Sequence, residues 1–277
     1  MSARARRQTR HPYRERTGVI LLAAFLGLLL LLPALARRDP YRIALDALLL
    51  PPSLAHPLGT DENGRDVLAR LLQGGRATLA IGLGGAAIAV CLGATLGAVA
   101  GYRGGALDAL LMRFVDFALA LPSLFAILLF TALVRAGVAQ LIILIGITGW
   151  MGVARLTRGT IRELLNAAYI EAARVNGATG ARIIARHLLP NTGAILFVAA
   201  LVQLSRAILT EATISFLGLG IQPPEPTWGN LLIGAQDYLY SASWLAIAPG
   251  LAITATLLLI YIAGMGYAAG PQGHGRQ

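Results

Sequence analysis

The side chains that could carry out chemistry are few and scattered in this sequence of 277 residues. All 23 basic residues are arginine. A chain without lysine cannot form a lysine Schiff base, and it lacks the lysine with which a P-loop reaches nucleotide phosphates. The single cysteine, Cys91, lies inside an apolar run and has no partner for an intrachain disulfide, so we interpret it as a packing residue. These features exclude a standard P-loop ATPase.

The four histidines also offer no obvious chemistry. They are His11, His56, His187 and His274, and no two of them have a spacing that would place two metal ligands on one helix face. The apolar runs contain no Ser/His or paired-carboxylate constellation, which argues against an intramembrane hydrolase. We therefore predict a chain without catalytic residues, without a metal site and without a cofactor of its own.

The composition points to a membrane. Hydrophobic residues make up 56% of the chain and charged residues 13%, against about a quarter charged in soluble domains, and the mean hydropathy is +0.68. The apolar residues form runs near 20 residues, long enough to cross about 30 Å of hydrocarbon. The net charge of +10 could suggest nucleic acid, but the arginines lie between apolar runs without an aromatic-interleaved basic stripe. We predict an all-α polytopic membrane protein. Its expected surroundings are membrane lipid, and nucleic acid is not expected as a partner.

Six transmembrane helices are expected. The apolar runs are 18–36, 78–100, 114–134, 138–154, 193–214 and 244–267. With the amino terminus inside, fifteen arginines fall on the cytoplasmic side and seven outside, which favours both termini in the cytoplasm. The divisions are a basic tail 1–17, a first helix 18–36, an outer segment 37–77, a core 78–268 that contains a cytoplasmic loop 155–191 and an outer Pro-rich loop 216–243, and a tail 269–277.

Small residues recur at every fourth position in the second run, at Gly85, Ala89, Gly93, Gly97 and Gly101. They place a groove along one helix face, where another helix backbone can approach closely. The alternative is that the groove lines a translocation path. We assign it to helix packing, which is the commoner reason for such a groove.

The polar loop 155–191 is too long to be a minimal connector. Apolar residues at helical spacing predict an amphipathic helix from Ile161 to Val175, with Leu164, Leu165, Ala168 and Ala172 on its apolar stripe. Asn176-Gly177 then tolerates a left-handed stop, Thr179 can cap a second short helix, and Pro190 closes it. The alternative is an interfacial helix that lies on lipid headgroups.

Three polar features are expected outside or within the spans. Residues 60–73 predict a short amphipathic helix capped by Thr60 or Asp61, with Asp61 and Arg65 paired at i, i+4. Asp116 is close enough in sequence to pair with Arg113. Charges are costly near lipid, so Arg206 and Glu211 are expected to face the protein interior or water and to pair with each other or with another subunit. We assign them to gating or assembly, with contact to substrate as the alternative. Trp228, which follows a Pro-rich stretch, is expected at the membrane boundary.

The loop also resembles a known family. Residues 171–191, EAARVNGATGARIIARHLLPN, are similar to the EAA loop of ABC importer permeases. His187, three residues before Pro190, stands where the general motif has isoleucine, a variation associated with the peptide and nickel branch. Residues 56–82, HPLGTDENGRDVLARLLQGGRATLAIG, and 215–232, SFLGLGIQPPEPTWGNLL, resemble the same branch.

The resemblance implies the second, C-type permease of a dipeptide, oligopeptide or nickel importer with the type I ABC importer permease fold. The loop would then be a coupling helix that docks on a separate ATPase, with the implied coupling residues Glu171, Ala172, Ala173, Arg174, Gly177, His187, Leu189 and Pro190. The implied partners are a homologous second permease, two ABC ATPase subunits that use ATP and Mg²⁺, and an extracytoplasmic solute-binding protein. The implied location is the bacterial inner membrane, and 216–243 would form an outer gate loop. A secondary transporter driven by an ion gradient is the rival reading, but only Glu211 and Asp116 could serve as its relays.

Overall fold

The computed structural model describes residues 13–35, 38–134 and 137–268. All regular structure in these residues is helical apart from one isolated bridge between Thr60 and Asp66. The helices are α1 Tyr13–Leu35, α2 Val67–Arg103, α3 Gly105–Ala120, α4 Ser123–Leu133, α5 Val138–Leu164, α6 Ala168–Val175, α7 Gly180–Ile183, α8 Leu189–Asn191, α9 Gly193–Phe216 and α10 Trp244–Ala268. A π-helical turn, Ile184–Leu188, joins α7 to α8, and two 3-10 turns, Asn230–Leu232 and Ala235–Tyr238, lie before α10.

Four of the described helices are long and apolar enough to cross a membrane: α2, α5, α9 and α10. The predicted third span is not one straight helix, because α3 and α4 meet at a bend of 72° at Leu121-Pro122. Counted together, these two give a fifth candidate. The apolar part of α1, Thr17–Leu32, is shorter than a usual span.

The helix α2 lies at the centre of the bundle, where it packs against α5, α9 and α1, while α1 also packs along α10. Close approach of α2 and α5 depends on the small-residue groove. A Cβ on Gly97 would lie 2.4 Å from the carbonyl oxygen of Ala154, and one on Gly93 would lie 2.5 Å from Cβ of Val153. The other groove glycines, Gly85 and Gly101, also face α5. The groove therefore lies in the α2–α5 contact.

The predicted helix over residues 60–73 is wrong in two respects: it begins later in the chain, and it is not a separate helix. Helix α2 begins at Val67 and continues for 37 residues, so the expected second span and the second half of the expected outer helix form one element. Asp66 caps this helix by accepting a hydrogen bond from the Ala69 amide. Asp61 instead pairs with Arg65, as its i, i+4 spacing predicts, in the turn before α2.

Two ends of the bundle can now be defined. The end at which α2 and α5 finish, and at which α6 lies, is called the α6 end. The end at which α2 begins, with segment 38–66 and loop 217–243, is called the opposite end. The predicted pair of Asp116 with Arg113 is replaced by an ion pair between Asp116 on α3 and Arg155 on α5.

Candidate functional site

The helix α6 ends in a rigid turn. Gly177 adopts a left-handed backbone with φ of 76°, which an L side chain rarely adopts. Its amide donates to the Arg174 carbonyl at 2.9 Å, and the Ala178 amide donates to the Ala173 carbonyl at 3.0 Å. This pair of hydrogen bonds is a Schellman motif, which satisfies carbonyls that the helix end leaves free. The predicted left-handed stop at Asn176-Gly177 is therefore confirmed.

A second local prediction also holds. Thr179 precedes α7, and its side-chain oxygen accepts a hydrogen bond from the Arg182 amide at 3.4 Å, so it is the predicted cap. Pro190 does not close the unit, however. It lies in the first turn of α8, and the chain continues through α8 and Thr192 into α9. A proline is tolerated there because the first amides of a helix need no intrahelical partner.

The helix α6 has a buried face and an exposed face. Ile170 is fully buried and Ala173 half-buried, whereas four residues at i, i+3, i+4 and i+7 form an exposed face. These residues are Ala168, Glu171, Ala172 and Val175, and Val175 is 84% exposed. The expected apolar stripe is therefore wrong beyond Leu165, since Ala168, Ala172 and Val175 point outward.

The buried face of α6 packs on the bundle itself. Ile170 belongs to an apolar cluster with Ala98 of α2 and Ile161 of α5, and Ile183 and Leu188 complete its buried members. The Arg174 guanidinium also lies 5.9 Å from the centre of the Tyr102 ring. Segment 165–191 is thus seated on the ends of α2 and α5, which fixes the direction of the exposed face.

The eight residues implied for coupling divide into four environments. Glu171, Ala172 and Arg174 are exposed on α6, Ala173 and Leu189 pack into the apolar cluster, and Gly177 makes the turn. His187 is half-buried and Pro190 exposed, in the helical stretch that leads to α9, where Asn191 donates to the His187 carbonyl. The structure therefore brings Glu171, Ala172 and Arg174 onto one short helix and leaves His187 and Pro190 on another part of the segment.

At the opposite end, Glu211 is fully buried in α9. Thr78 of α2 donates a hydrogen bond to one carboxylate oxygen at 3.0 Å, and Ser215 donates to the other at 2.7 Å. The same Thr78 hydroxyl oxygen accepts from the Trp228 amide at 3.1 Å. These contacts join α2, α9 and loop 217–243 through one carboxylate.

Arg206 and Trp228 have hydrogen-bond partners that the sequence did not indicate. Arg206 does not pair with Glu211; it is exposed and donates to the Ser123 hydroxyl of α4 at 2.7 Å. Trp228 faces the interior of the protein. It is fully buried against Gly75, where its indole N–H donates to the Leu71 carbonyl at 2.9 Å. A buried indole usually requires such a partner.

Loop 217–243 is held by a residue that sequence reasoning missed. The Asn230 amide nitrogen donates to the carbonyls of Ile221 and Glu225, and its oxygen accepts from the Thr227 amide at 2.8 Å. Asparagine is a common loop residue, so its presence two residues after a tryptophan does not by itself predict these hydrogen bonds. Glu225 also accepts a hydrogen bond from the Tyr41 hydroxyl at 2.8 Å, which ties the loop to segment 38–66.

The start of α2 carries a charged cluster at the opposite end. The Asp66 carboxylate is largely buried, which opposes its ionisation, but hydrogen bonds from the Ala69 amide, His56 and Arg38 outweigh burial and hold its pKa below the usual value. Burial and the nearby Glu225 raise the pKa of Tyr41. Among the described residues, no group of three His, Cys, Asp or Glu side chains could hold a metal ion.

These features define a multi-pass helical membrane protein with a surface helix seated at one end of its bundle. Residues 93–269 match the family described as the inner membrane component of binding-protein-dependent transport systems, and the chain belongs to this family. It is therefore a permease component of a transport system rather than an enzyme.

Several curated relatives are similar over most of the chain. The di/tripeptide transport system permease protein of Pseudomonas aeruginosa (strain UCBPP-PA14) is 39% identical, over 90% of this chain and 84% of the relative. The dipeptide transport system permease protein of Bacillus subtilis (strain 168) is 35% identical, over 90% and 78%. The oligopeptide transport system permease protein of Haemophilus influenzae (strain ATCC 51907 / DSM 11121 / KW20 / Rd) is 38% identical, over 76% and 68%.

Proposed function

We propose that this chain is the C-type permease of an ABC importer for dipeptides and oligopeptides, and that it forms half of the translocation path. The names of the similar relatives, which are permeases for di/tripeptides, dipeptides and oligopeptides, support the cargo class. Nickel or a metal chelate is the alternative cargo. We favour peptides because all three of these relatives are peptide permeases.

The exposed face of α6 is the proposed docking surface for an ATPase subunit. Ala168 and Ala172 are small enough for a partner backbone to approach, Glu171 offers a carboxylate, and Val175 offers an exposed apolar side chain. The single observation that carries the proposal is this outward face on a helix whose other face is anchored to α2 and α5. A short, anchored helix can transmit a rigid-body movement of its partner into the bundle.

Contact with lipid headgroups is the competing role for α6. An interfacial helix presents large apolar side chains to lipid and basic side chains to the headgroups. The exposed face of α6 instead carries two alanines and an acidic residue beside Val175, and the exposed Tyr169 and Arg174 lie outside this face. Its composition therefore favours a protein partner.

The proposed topology has six spans with both termini in the cytoplasm, α1 being the first span. The α6 end then faces the cytoplasm, and loop 217–243 faces a solute-binding protein outside. The complex pairs this chain with a homologous permease and two ATPase subunits, which use ATP and Mg²⁺. Alternating access follows when ATP closes the two ATPase subunits and their movement reaches the permeases through α6 and its counterpart.

Proteoliposomes that contain the complete transporter test this proposal. We expect uptake of a labelled dipeptide to require ATP and the binding protein, to be insensitive to an ion-gradient uncoupler, and to stop with a catalytically inactive ATPase. Glu171→Lys should leave the amount of complex unchanged but reduce uptake per ATP hydrolysed, and Glu171→Gln, which keeps the side-chain shape, should reduce it less. Uptake that follows a proton or sodium gradient without ATP would contradict the proposal, and uptake of nickel but not dipeptide would contradict the cargo.

A further inference from the structure

The first turn of α3 contains a carboxylate that is almost completely buried. Asp108 is 4% exposed, and Arg158 donates to both of its oxygens, through Nε and through Nη2, the second at 2.7 Å. Arg162 donates a further hydrogen bond to the same carboxylate. Paired hydrogen bonds from one guanidinium fix geometry as well as charge. Because both arginines lie near the end of α5, Asp108 fastens α3 to the part of α5 that leads into α6.

Little else holds α3 at the α6 end. Of its sixteen residues, only Asp108 and Val115 are buried, and Val115 packs farther along α5 beside Trp150 and Ala154. The connection from α2 is Gly104 alone, and α3 begins at Gly105. These two glycines have φ of 62° and 59°, and a Cβ on either would meet no atom within 4 Å. Glycines adopt such backbones freely, so side-chain packing does not fix this joint. The tie between Asp108 and α5 therefore sets the position of the start of α3.

The other end of α3 leads to α4 through the bend of 72°. The first residue of α4, Ser123, accepts a hydrogen bond from Arg206 of α9. Movement at the start of α3 thus reaches a second contact in the bundle through a continuous chain of helices. Leu110 and Phe117 are exposed, and Phe114 stacks on Trp150 of α5 with ring centroids 6.2 Å apart but is otherwise exposed. Few packed side chains therefore oppose movement of α3 relative to the remaining helices.

We propose that Asp108 is a positioning residue for transport, which makes α3 and α4 follow the movement of the α5–α6 unit. The proposal rests on the proposed function of the chain as an ATPase-coupled permease. In it, α6 receives the movement of the partner, the last turns of α5 carry it to Arg158 and Arg162, and Asp108 transfers it to α3. Without the carboxylate, the α5–α6 unit still moves, but the bent pair α3–α4 no longer follows.

A matched control exists on the same two helices. Asp116 and Arg155 also join α3 to α5, but their side chains are 62% and 54% exposed, and an exposed ion pair contributes little. Asp108→Asn keeps the side-chain shape, and the two arginines that it releases are 26% and 46% exposed, so both can reach water. We therefore expect Asp108→Asn to fold and assemble.

The experiment uses the complete transporter in proteoliposomes and measures labelled dipeptide uptake per ATP hydrolysed. Asp108→Asn should lower this ratio at least fivefold, with wild-type copurification of the ATPase and wild-type basal ATP hydrolysis, whereas Asp116→Asn should change it less than twofold. Arg158→Lys keeps the charge but loses the paired hydrogen bonds, so its uptake per ATP hydrolysed should lie between those of the wild type and Asp108→Asn. It replaces Asp108→Asn as the test if that variant accumulates poorly.

The outcomes separate this inference from the proposed function. An unchanged ratio for both Asp108→Asn and Arg158→Lys would overturn the positioning role while wild-type transport stands. A reduced amount of complex with a wild-type ratio per complex would mean that Asp108 serves folding alone and would also overturn it. If wild-type protein takes up no dipeptide in an ATP-dependent manner, the proposed function fails first.

Discussion

The α2–α5 contact makes a sharp prediction for Gly97→Ala. The new Cβ would lie 2.4 Å from the Ala154 carbonyl oxygen and 2.9 Å from the Thr157 Cβ. The closer atom belongs to the backbone, so no side chain can rotate away, and the two helices must separate locally by roughly 1 Å to restore a normal contact distance. Overpacking of this kind costs about 1–3 kcal/mol.

The matched control is Gly152→Ala on α5. A Cβ on Gly152 would meet no atom within 4 Å, so this variant gains the helix propensity of alanine, about 1 kcal/mol, without a clash. Because Gly97→Ala gains the same propensity, the difference between the two variants isolates the clash. We expect Gly97→Ala to be less stable than Gly152→Ala by about 1–3 kcal/mol in the free energy of unfolding.

The assay is unfolding of the purified permease by SDS in mixed micelles, followed by far-ultraviolet circular dichroism. The midpoint for Gly97→Ala should fall at a lower SDS fraction than the midpoint for Gly152→Ala, with the wild type between them or near the control. Equal midpoints for the two variants would refute the close α2–α5 approach at Gly97.

Two further predictions concern the turn after α6 and the start of α2. Gly177→Ala places a Cβ in open space but in a left-handed backbone, so it should lower the free energy of unfolding by about 1–2 kcal/mol. Gly177→Asn should lower it by less, and SDS unfolding measures both variants. A wild-type stability for Gly177→Ala would contradict the left-handed turn. Because the folded pKa of Asp66 is depressed, its stabilisation is complete above the unfolded pKa of about 3.9 and is lost as the pH falls through the lower folded pKa. The free energy of unfolding should therefore fall in this acidic window in the wild type and fall less in Asp66→Asn, and parallel pH curves would contradict the role of the carboxylate.

Local features of the fold could be predicted from the sequence, because their causes lie within a few residues. The stop at Gly177 needs only a residue that tolerates a positive φ, and the cap at Thr179 needs only a hydroxyl three residues before an amide. The period of four in the glycines of α2 likewise identifies one helix face, and this face lies against α5.

The orientation of α6 could not be predicted, because α5 and α6 are not one helix. The chain leaves the helix at Leu165 and begins again at Ala168, so the rotation between the two helices is set by tertiary contacts. A single stripe from Ile161 to Val175 assumes unbroken rotation. It therefore fails for the second helix, in which Ile170 and Ala173 face the bundle.

Polar contacts between residues that are far apart in the sequence could not be predicted either. Glu211 meets Thr78 across 133 positions, and Asp108 meets Arg158 across 50. Spacing favoured Arg113 as the partner of Asp116, and this assignment was wrong because the fold brings Arg155 closer. Arg206 and Glu211, whose pairing was one of the alternatives, have separate partners. Asp108 gave no signal of its own, since nothing in its local sequence distinguishes a buried aspartate from an exposed one.

Photo-crosslinking from α6 in the intact transporter tests the central claim most directly. A photoreactive residue in place of Val175, which is 84% exposed, should form its crosslink with an ATPase subunit, and the yield should change when ATP is bound. The same probe at Leu251, exposed on α10 within a candidate span, should reach lipid or another membrane subunit and not the ATPase. Crosslinks from Val175 to phospholipid alone, in a transporter that still imports dipeptide, would contradict the account.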